Sequence, residues 1–354
     1  MTWVSLRNMN GEPHRSLRDQ RAALLDIPFP DPLNKAAGRA RRHTLDWLAA
    51  FGLLSGTAAT REYDALRLER LMAYFYPDAA PDDLELATDL NGWFFVFDDQ
   101  FDTTLGRSPA RIPPLVDALL CALDDGPREA TVRAGPLAAA FRDVWVRATA
   151  GMPDHWRRRF RAHWREYLCA YEWEARHRTS GATLSLADFL SLRRRSIGVQ
   201  PCLDLAERCG GYSVPDALHG ALPVAVLREL TADVVLFVND LVSLEKELAA
   251  DDVNNSVLVL RSRAGCSMEE AVRRVARLAN ARVARFQQLA AALPAFLDGE
   301  SAAPAVRHGV ARYTDAMRAL MRGNLSWSLE TPRYADTGTG AVAHGRPRPW
   351  TGLL

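Results

Sequence analysis

An all-α fold is predicted by three features of this 354-residue chain. Long segments repeat their apolar residues with the helical period between Pro and Gly punctuation, and sustained two-residue alternation of β-branched residues is nearly absent. A content of 48% hydrophobic residues is enough to fill a substantial core. Residues 1–26 read as a loose, mobile arm, and IPFPDPLN, with its three prolines, as an extended lead-in to the first helix. Helices are expected at about 35–54, 60–76, 82–105, 113–124, 135–150, 153–178, 186–209, 215–249, 267–296 and 302–330. Gly198, Pro201 and Pro223 should break the segments 186–209 and 215–249 internally. The Gly- and Pro-rich stretch 335–354 reads as a mobile tail, and no repeat or linker divides 27–334, which is taken as one domain.

Net charge is +1, from 44 basic against 43 acidic residues, so the chain lacks the field that sequence-independent nucleic-acid binding uses. WRRRFRAHWRE, residues 156–166, is read as a solvated helix face with Trp156, Phe160, His163 and Trp164 turned inward. The five cysteines are scattered and form no CxxC pair, which fits reduced thiols in the cytoplasm. No run is long and apolar enough for a membrane span, and the N-terminus lacks the apolar block of a secretion signal.

NDLVSLEKE, Asn239 to Glu247, closes the apolar helical run PVAVLRELTADVVLFV. Asn239, Ser243 and Glu247 fall at i, i+4 and i+8, so a helix stacks three oxygen-bearing side chains along one face. WFFVFDDQFD, Trp93 to Asp102, sets Asp98, Asp99 and Asp102 above a run of aromatics: Asp98 and Asp102 share a face with Phe94, and Asp99 lies above Phe95. Carboxylates crowded near a helix C-terminus repel one another and oppose the macrodipole, a strain that a bound cation relieves. Oxygen-only ligands select a hard divalent ion, Mg²⁺ before zinc. Because Mg²⁺ binds through a few protein oxygens plus waters and substrate phosphates, two partial sites in a helical fold point to a shared diphosphate. SLRRRSIGVQP adds Arg193 and Arg194 just before a helix break, with guanidinium forks suited to phosphate, and NLSWSLETPRY ends the last helix with Arg333 and Tyr334 on a Pro-marked turn.

These elements, in this order, resemble the bacterial class I terpene synthases over about residues 27–334. DDQFD is similar to that family's DDxxD motif and NDLVSLEKE to its NSE triad; PFPDPLN followed by HTLDWLAAFGLL is similar to its N-terminal helices. The resemblance implies a helical bundle around a central apolar pocket. Asn239, Ser243 and Glu247 would be metal ligands, together with Asp98 and Asp102, with Asp99 in the catalytic motif and Lys246 as a diphosphate contact. Arg333 and Tyr334 resemble the Arg-Tyr pair that closes over the diphosphate. Two registers compete for the diphosphate-sensing arginine. The spacing to the triad favours Arg193, with Ser196 and Ile197 linking it to substrate; the RxxxG register ending at Gly198 favours Arg194, with Ile197 and Gly198 in those positions.

The implied cofactor is three Mg²⁺ ions, with Mn²⁺ able to substitute. The implied reaction ionises a linear prenyl diphosphate, farnesyl diphosphate first and the geranyl or geranylgeranyl compounds as alternatives. The carbocation then cyclises to a terpene hydrocarbon or alcohol in a pocket walled by Phe94, Phe95 and Trp327. Such an enzyme is a carbon–oxygen lyase acting on phosphates; it is expected in the cytoplasm, and a homodimer is compatible with it. Two rival readings are a chain-elongating prenyl synthase, which would carry a second DDxxD where NDLVSLEKE stands, and a non-catalytic helical isoprenoid binder, which has no need of the full ligand set.

Overall fold

The computed structural model describes residues 16–121, 123, 135–182, 184–335 and 347–354. Among the described residues there are fifteen α-helices and no strand. In chain order they are α1 Leu17–Ala22, α2 Ala37–Ala50, α3 Gly56–Ala65, α4 Leu68–Phe75, α5 Pro81–Asp98, α6 Ile112–Cys121, α7 Pro136–Thr149 and α8 Asp154–Ser180. There follow α9 Leu186–Ser196, α10 Val199–Gly210, α11 Asp216–His219, α12 Leu222–Ala249, α13 Ser256–Ala264, α14 Met268–Gly299 and α15 Pro304–Glu330. Among the described residues no helix is long and apolar enough to cross a membrane.

Helix α12 is the axis of the bundle. Every residue from Thr231 to Leu244 except Asn239 is buried, the pattern of a helix surrounded on all sides. Its neighbours are α1, α9, α10, α11, α13, α14 and α15. Helix α5, buried from Leu86 through Phe94, packs against α2, α4, α7 and α10. Trp93 fixes its orientation, stacked on Phe97 at 4.8 Å and on Phe141 at 4.4 Å, with Trp164 edge-on at 5.6 Å. The two helices that carry the acidic motifs are thus set in rigid surroundings.

Several sequence expectations shift. The segment 60–76 splits at Arg67, which adopts a left-handed conformation with φ 54°. The segment 82–105 stops at Asp98. The break in 186–209 falls at Gly198 alone; Pro201 sits in the first turn of α10, and Pro223 likewise opens α12, where a missing N–H costs nothing. Helix α13 was not expected. Trp156, Phe160 and Trp164 are buried as read, but Arg159 on the supposed solvated face is buried too, paired with Asp204 at 3.2 Å and Glu207 at 2.5 Å.

Part of each chain end is docked on the bundle. In α1, Arg21 donates from Nε to Leu241 O at 2.5 Å and pairs with Glu245, so α1 docks on α12. At the other end Trp350 is 2% exposed and stands edge-on to Tyr63 at 5.7 Å, while Arg348 reaches Glu62 at 2.9 Å. Residues 1–15 and 336–346 of the arm and tail lie outside the described residues.

Candidate active site

The two acidic motifs line one cleft, spanned by Lys246 Nζ, which lies 3.1 Å from Asp102 Oδ2. Asp98 ends α5 inside this cleft and accepts a hydrogen bond from Tyr171 OH at 3.0 Å. Burial, and then repulsion from Asp102, pushes its carboxyl up to about 6. Asp102 lies beyond the helix on the following turn, so it reaches the cleft by loop geometry and not by the i, i+4 stacking the sequence suggested. Asp99 does not line the cleft. It is fully buried, held by Arg333 Nη2 at 2.8 Å and Trp350 Nε1 at 2.9 Å. Burial opposes its ionisation, but Arg333, with Lys246 and Arg348, outweighs that and keeps the carboxyl below its ordinary value.

On α12, Asn239, Ser243 and Glu247 all face the cleft. Ser243 Oγ lies 2.7 Å from both Asn239 O and Glu247 Oε1, and Asn239 Nδ2 donates to Tyr334 OH at 3.0 Å. The other Glu247 oxygen accepts from Asn255 Nδ2, which also reaches Asp240 O at 2.8 Å; Asn255 Oδ1 meanwhile caps α13 through Val257 N at 2.8 Å. One amide therefore ties the start of α13 to Glu247. Burial first, then Asp240 and Asp252, pushes the Glu247 carboxyl up to about 8. The donor set of carboxylates, an amide and a hydroxyl suits a hard divalent cation, and carboxylates crowded around one cleft are the environment that such a cation relieves.

One residue of helical rotation separates the two candidate arginines. Arg193 enters the cleft, bonded to Glu174 Oε1 at 3.0 Å and Ser196 Oγ at 3.1 Å, with Asp240 Oδ1 at 3.5 Å. Its Nε is buried without a hydrogen-bond partner among the described residues. Arg194 turns away from the cleft, bound to Asp233 at 2.6 and 2.9 Å, a carboxylate that Arg282 shares at 2.8 Å.

The break after α9 puts Gly198 at φ +76°, where a Cβ would come within 3.4 Å of Phe94 Cε1. Ile197 and Gly198 line the cleft beside Phe94, Phe95 and Trp327. Trp327 commits its Nε1 to Leu66 O and Arg67 O, at 3.1 and 3.0 Å, and meets Phe95 edge-on at 5.6 Å. Arg333, buried, lies over the Phe95 ring with Cζ 5.1 Å from its centroid, and Tyr334 packs on Trp327.

A family model described as terpene synthase family 2, C-terminal metal binding, matches residues 89–285, a span that contains both acidic motifs and Arg193. A pristinol synthase of Streptomyces pristinaespiralis is 57% identical over 336 residues, covering 94% of this chain and 90% of the relative. The chain belongs to the terpene synthase family. An isoafricanol synthase of Streptomyces violaceusniger is 49% identical over 343 residues, covering 94% of the terpene synthase described here and 89% of the relative. The solved structure of linalool/nerolidol synthase from Streptomyces clavuligerus in complex with 2-fluorogeranyl diphosphate superposes with a TM-score of 0.77 at 35% identity, covering 84% of this chain and 99% of that one. As a terpene synthase the enzyme is a lyase acting on a prenyl diphosphate, and its matched domain is a metal-binding one.

The synthase's cleft also holds residues that the sequence reading passed over. Tyr167, Tyr171, Glu174 and Arg178 line it from α8, with the two tyrosine hydroxyls 2.6 Å apart. Asn254 lines it as well; its Nδ2 is buried without a hydrogen-bond partner among the described residues, and its Oδ1 meets His177 Nδ1 at 2.6 Å. The four α8 residues fall at i, i+4, i+7 and i+11, which also aligns them along one face of a helix.

Proposed function

We propose that the synthase ionises farnesyl diphosphate with three Mg²⁺ ions, Mn²⁺ being able to replace them, and cyclises the cation to a sesquiterpene hydrocarbon or alcohol. The observation that carries this reading is the convergence of two oxygen-ligand motifs and Arg193, with its unpartnered Nε, on one cleft lined by aromatic rings. A (-)-beta-caryophyllene synthase of Saccharothrix espanaensis, named as cyclising (2E,6E)-farnesyl diphosphate and 33% identical over 311 residues, supports the C15 chain length. Five free cysteines support a reducing, cytoplasmic setting.

Asp98 and Asp102 would hold metal from α5 and the turn after it; Asn239, Ser243 and Glu247 would hold it from α12. When bound, the divalent ions supply positive charge to the departing diphosphate. Arg193, Lys246 and Arg333 present donors to the diphosphate oxygens, and Tyr334 adds its hydroxyl from the closing turn. Phe94, Phe95 and Trp327 exclude water from the hydrocarbon chain and offer π faces to positive charge as it migrates. Incubation with the geranyl, farnesyl and geranylgeranyl diphosphates and Mg²⁺, followed by mass spectrometry of the extract, is expected to give a C15 product from farnesyl diphosphate. Cyclisation of the C20 substrate alone would overturn the chain-length assignment, and absence of diphosphate release from all three would overturn the reaction.

Phe95→Leu separates packing from cation stabilisation. It keeps most of the volume beside Trp327 but removes the ring, so stability should fall by less than about 1.5 kcal/mol. Losing a desolvated cation–π contact worth about 2 kcal/mol slows steps through nearby cations by up to about thirtyfold, so flux is expected to leak to acyclic or less cyclised products. An unchanged product profile with only a lower melting temperature would return Phe95 to a packing role.

A further inference from the structure

Residues 347–354 lie against the DDQFD turn. Trp350 donates from Nε1 to Asp99 Oδ2 at 2.9 Å, and its carbonyl accepts from Gln100 Nε2 at 2.9 Å. Leu353 N donates to Gln100 Oε1 at 2.9 Å, so both ends of the Gln100 amide are engaged by this segment. Asp99 gives its other oxygen to Arg333, which continues into the cleft over Phe95 and within 3.6 Å of Asp98.

The carboxylate of Asp99 thus stands between two partners of different kinds. One is a guanidinium that faces the cleft; the other is an indole N–H, which holds the second oxygen without adding charge. A carboxylate fixed at both oxygens cannot rotate, and a guanidinium bonded to it inherits that orientation. Gln100 repeats the arrangement one residue on. Packing alone would be satisfied by the indole ring against Tyr63; it does not require that the one polar atom of the side chain meet the carboxylate that holds Arg333.

We propose that the C-terminal segment 347–354, through Trp350 and Asp99, positions Arg333 for the diphosphate, which makes Trp350 a positioning residue of the substrate site. The proposal rests on the reading of Arg333 as a diphosphate contact. It carries a reciprocal consequence: a ligand that engages Arg333 must tighten the segment by the same factor by which the segment tightens the ligand.

The test uses the full-length enzyme with inorganic diphosphate and Mg²⁺ as the probe. Trp350→Phe keeps a ring against Tyr63 and removes the N–H. It is expected to weaken inhibition by inorganic diphosphate by about 5- to 20-fold and to raise KM more than it lowers kcat. Its melting temperature should stay within about 2 °C of the parent. Hydrogen exchange in 347–354 is expected to slow when the wild-type enzyme binds inorganic diphosphate, and this response should vanish in Arg333→Ala. If Arg333→Ala weakens diphosphate binding but Trp350→Phe does not, the positioning role is wrong and the Arg333 contact stands. If Arg333→Ala leaves the affinity unchanged, both fall. Exchange in 347–354 that ignores the probe in the wild-type enzyme, a measurement needing no variant, also overturns the proposal.

Discussion

Glu247→Ala is expected to lower kcat/KM at least about 10³-fold while leaving the far-ultraviolet circular dichroism unchanged. Glu247 faces the cleft and not the core, and among the described residues its oxygens engage Ser243 and Asn255. Removing it takes away a proposed metal ligand and leaves the Ser243 hydroxyl and the Asn255 amide each short of one acceptor. The buried apolar residues that hold α12 in the bundle, from Val224 to Leu244, stay in place. Asp98→Ala should behave in the same way, since Asp98 also ends in the cleft. Near wild-type diphosphate release by either variant would remove that residue from the metal site, and loss of helicity would mean that its role is structural.

Arg193→Met and Arg194→Met are expected to part company. Arg193 makes its contacts inside the cleft and points its unpartnered Nε into buried space, so its loss should lower kcat/KM by about 10²- to 10³-fold with substrate present. Arg194 binds Asp233 on the other side of α9, where Arg282 still neutralises the same carboxylate after substitution. The Arg194 side chain is 31% exposed, so solvent screening reduces what its ion pair contributes; about 1 kcal/mol of stability should be lost, and activity should stay within about threefold. Diphosphate release and melting temperature measured on both variants decide the matter, and the opposite pattern would transfer the sensing role to Arg194.

The triad was legible because a long helix enforces its period: nine residues of α12 leave no freedom about which side chains align. The same rule would have found Tyr167, Tyr171, Glu174 and Arg178, but the arginines earlier in α8 drew attention to its solvent face. Choosing between Arg193 and Arg194 requires knowing the rotation of α9 about its axis, and a difference of one residue swings the side chain by about 100°. Helix α13 carried a readable signal in NNSVLVL, an Asn cap before an apolar run. The bend at Arg67 carried none, because its left-handed backbone is held by neighbours such as Trp327, far along the chain. The arm and tail were read as mobile from composition. Each is anchored at scattered points, through Arg18 and Arg21 at one end and through Arg348, Trp350 and the Leu353 amide at the other, and contacts so placed leave no period to detect.

Those anchors tie the site to the direction of protein synthesis. Arg21 waits for a carbonyl 220 residues downstream, and Trp350 returns to a carboxylate 251 residues upstream. A nascent chain emerges N-terminus first, so the apolar bundle and both acidic motifs are made before the ribosome reaches Trp350. The contact that steadies Asp99 therefore forms only after every proposed metal ligand has been made. A message stopped just before the Trp350 codon would still encode every proposed metal ligand and the whole aromatic wall, yet the polypeptide would lack the indole that bonds Asp99. Early stop codons in this region of the gene should thus yield folded enzyme with a weakened hold on its leaving group, a defect visible in catalysis before it is visible in solubility.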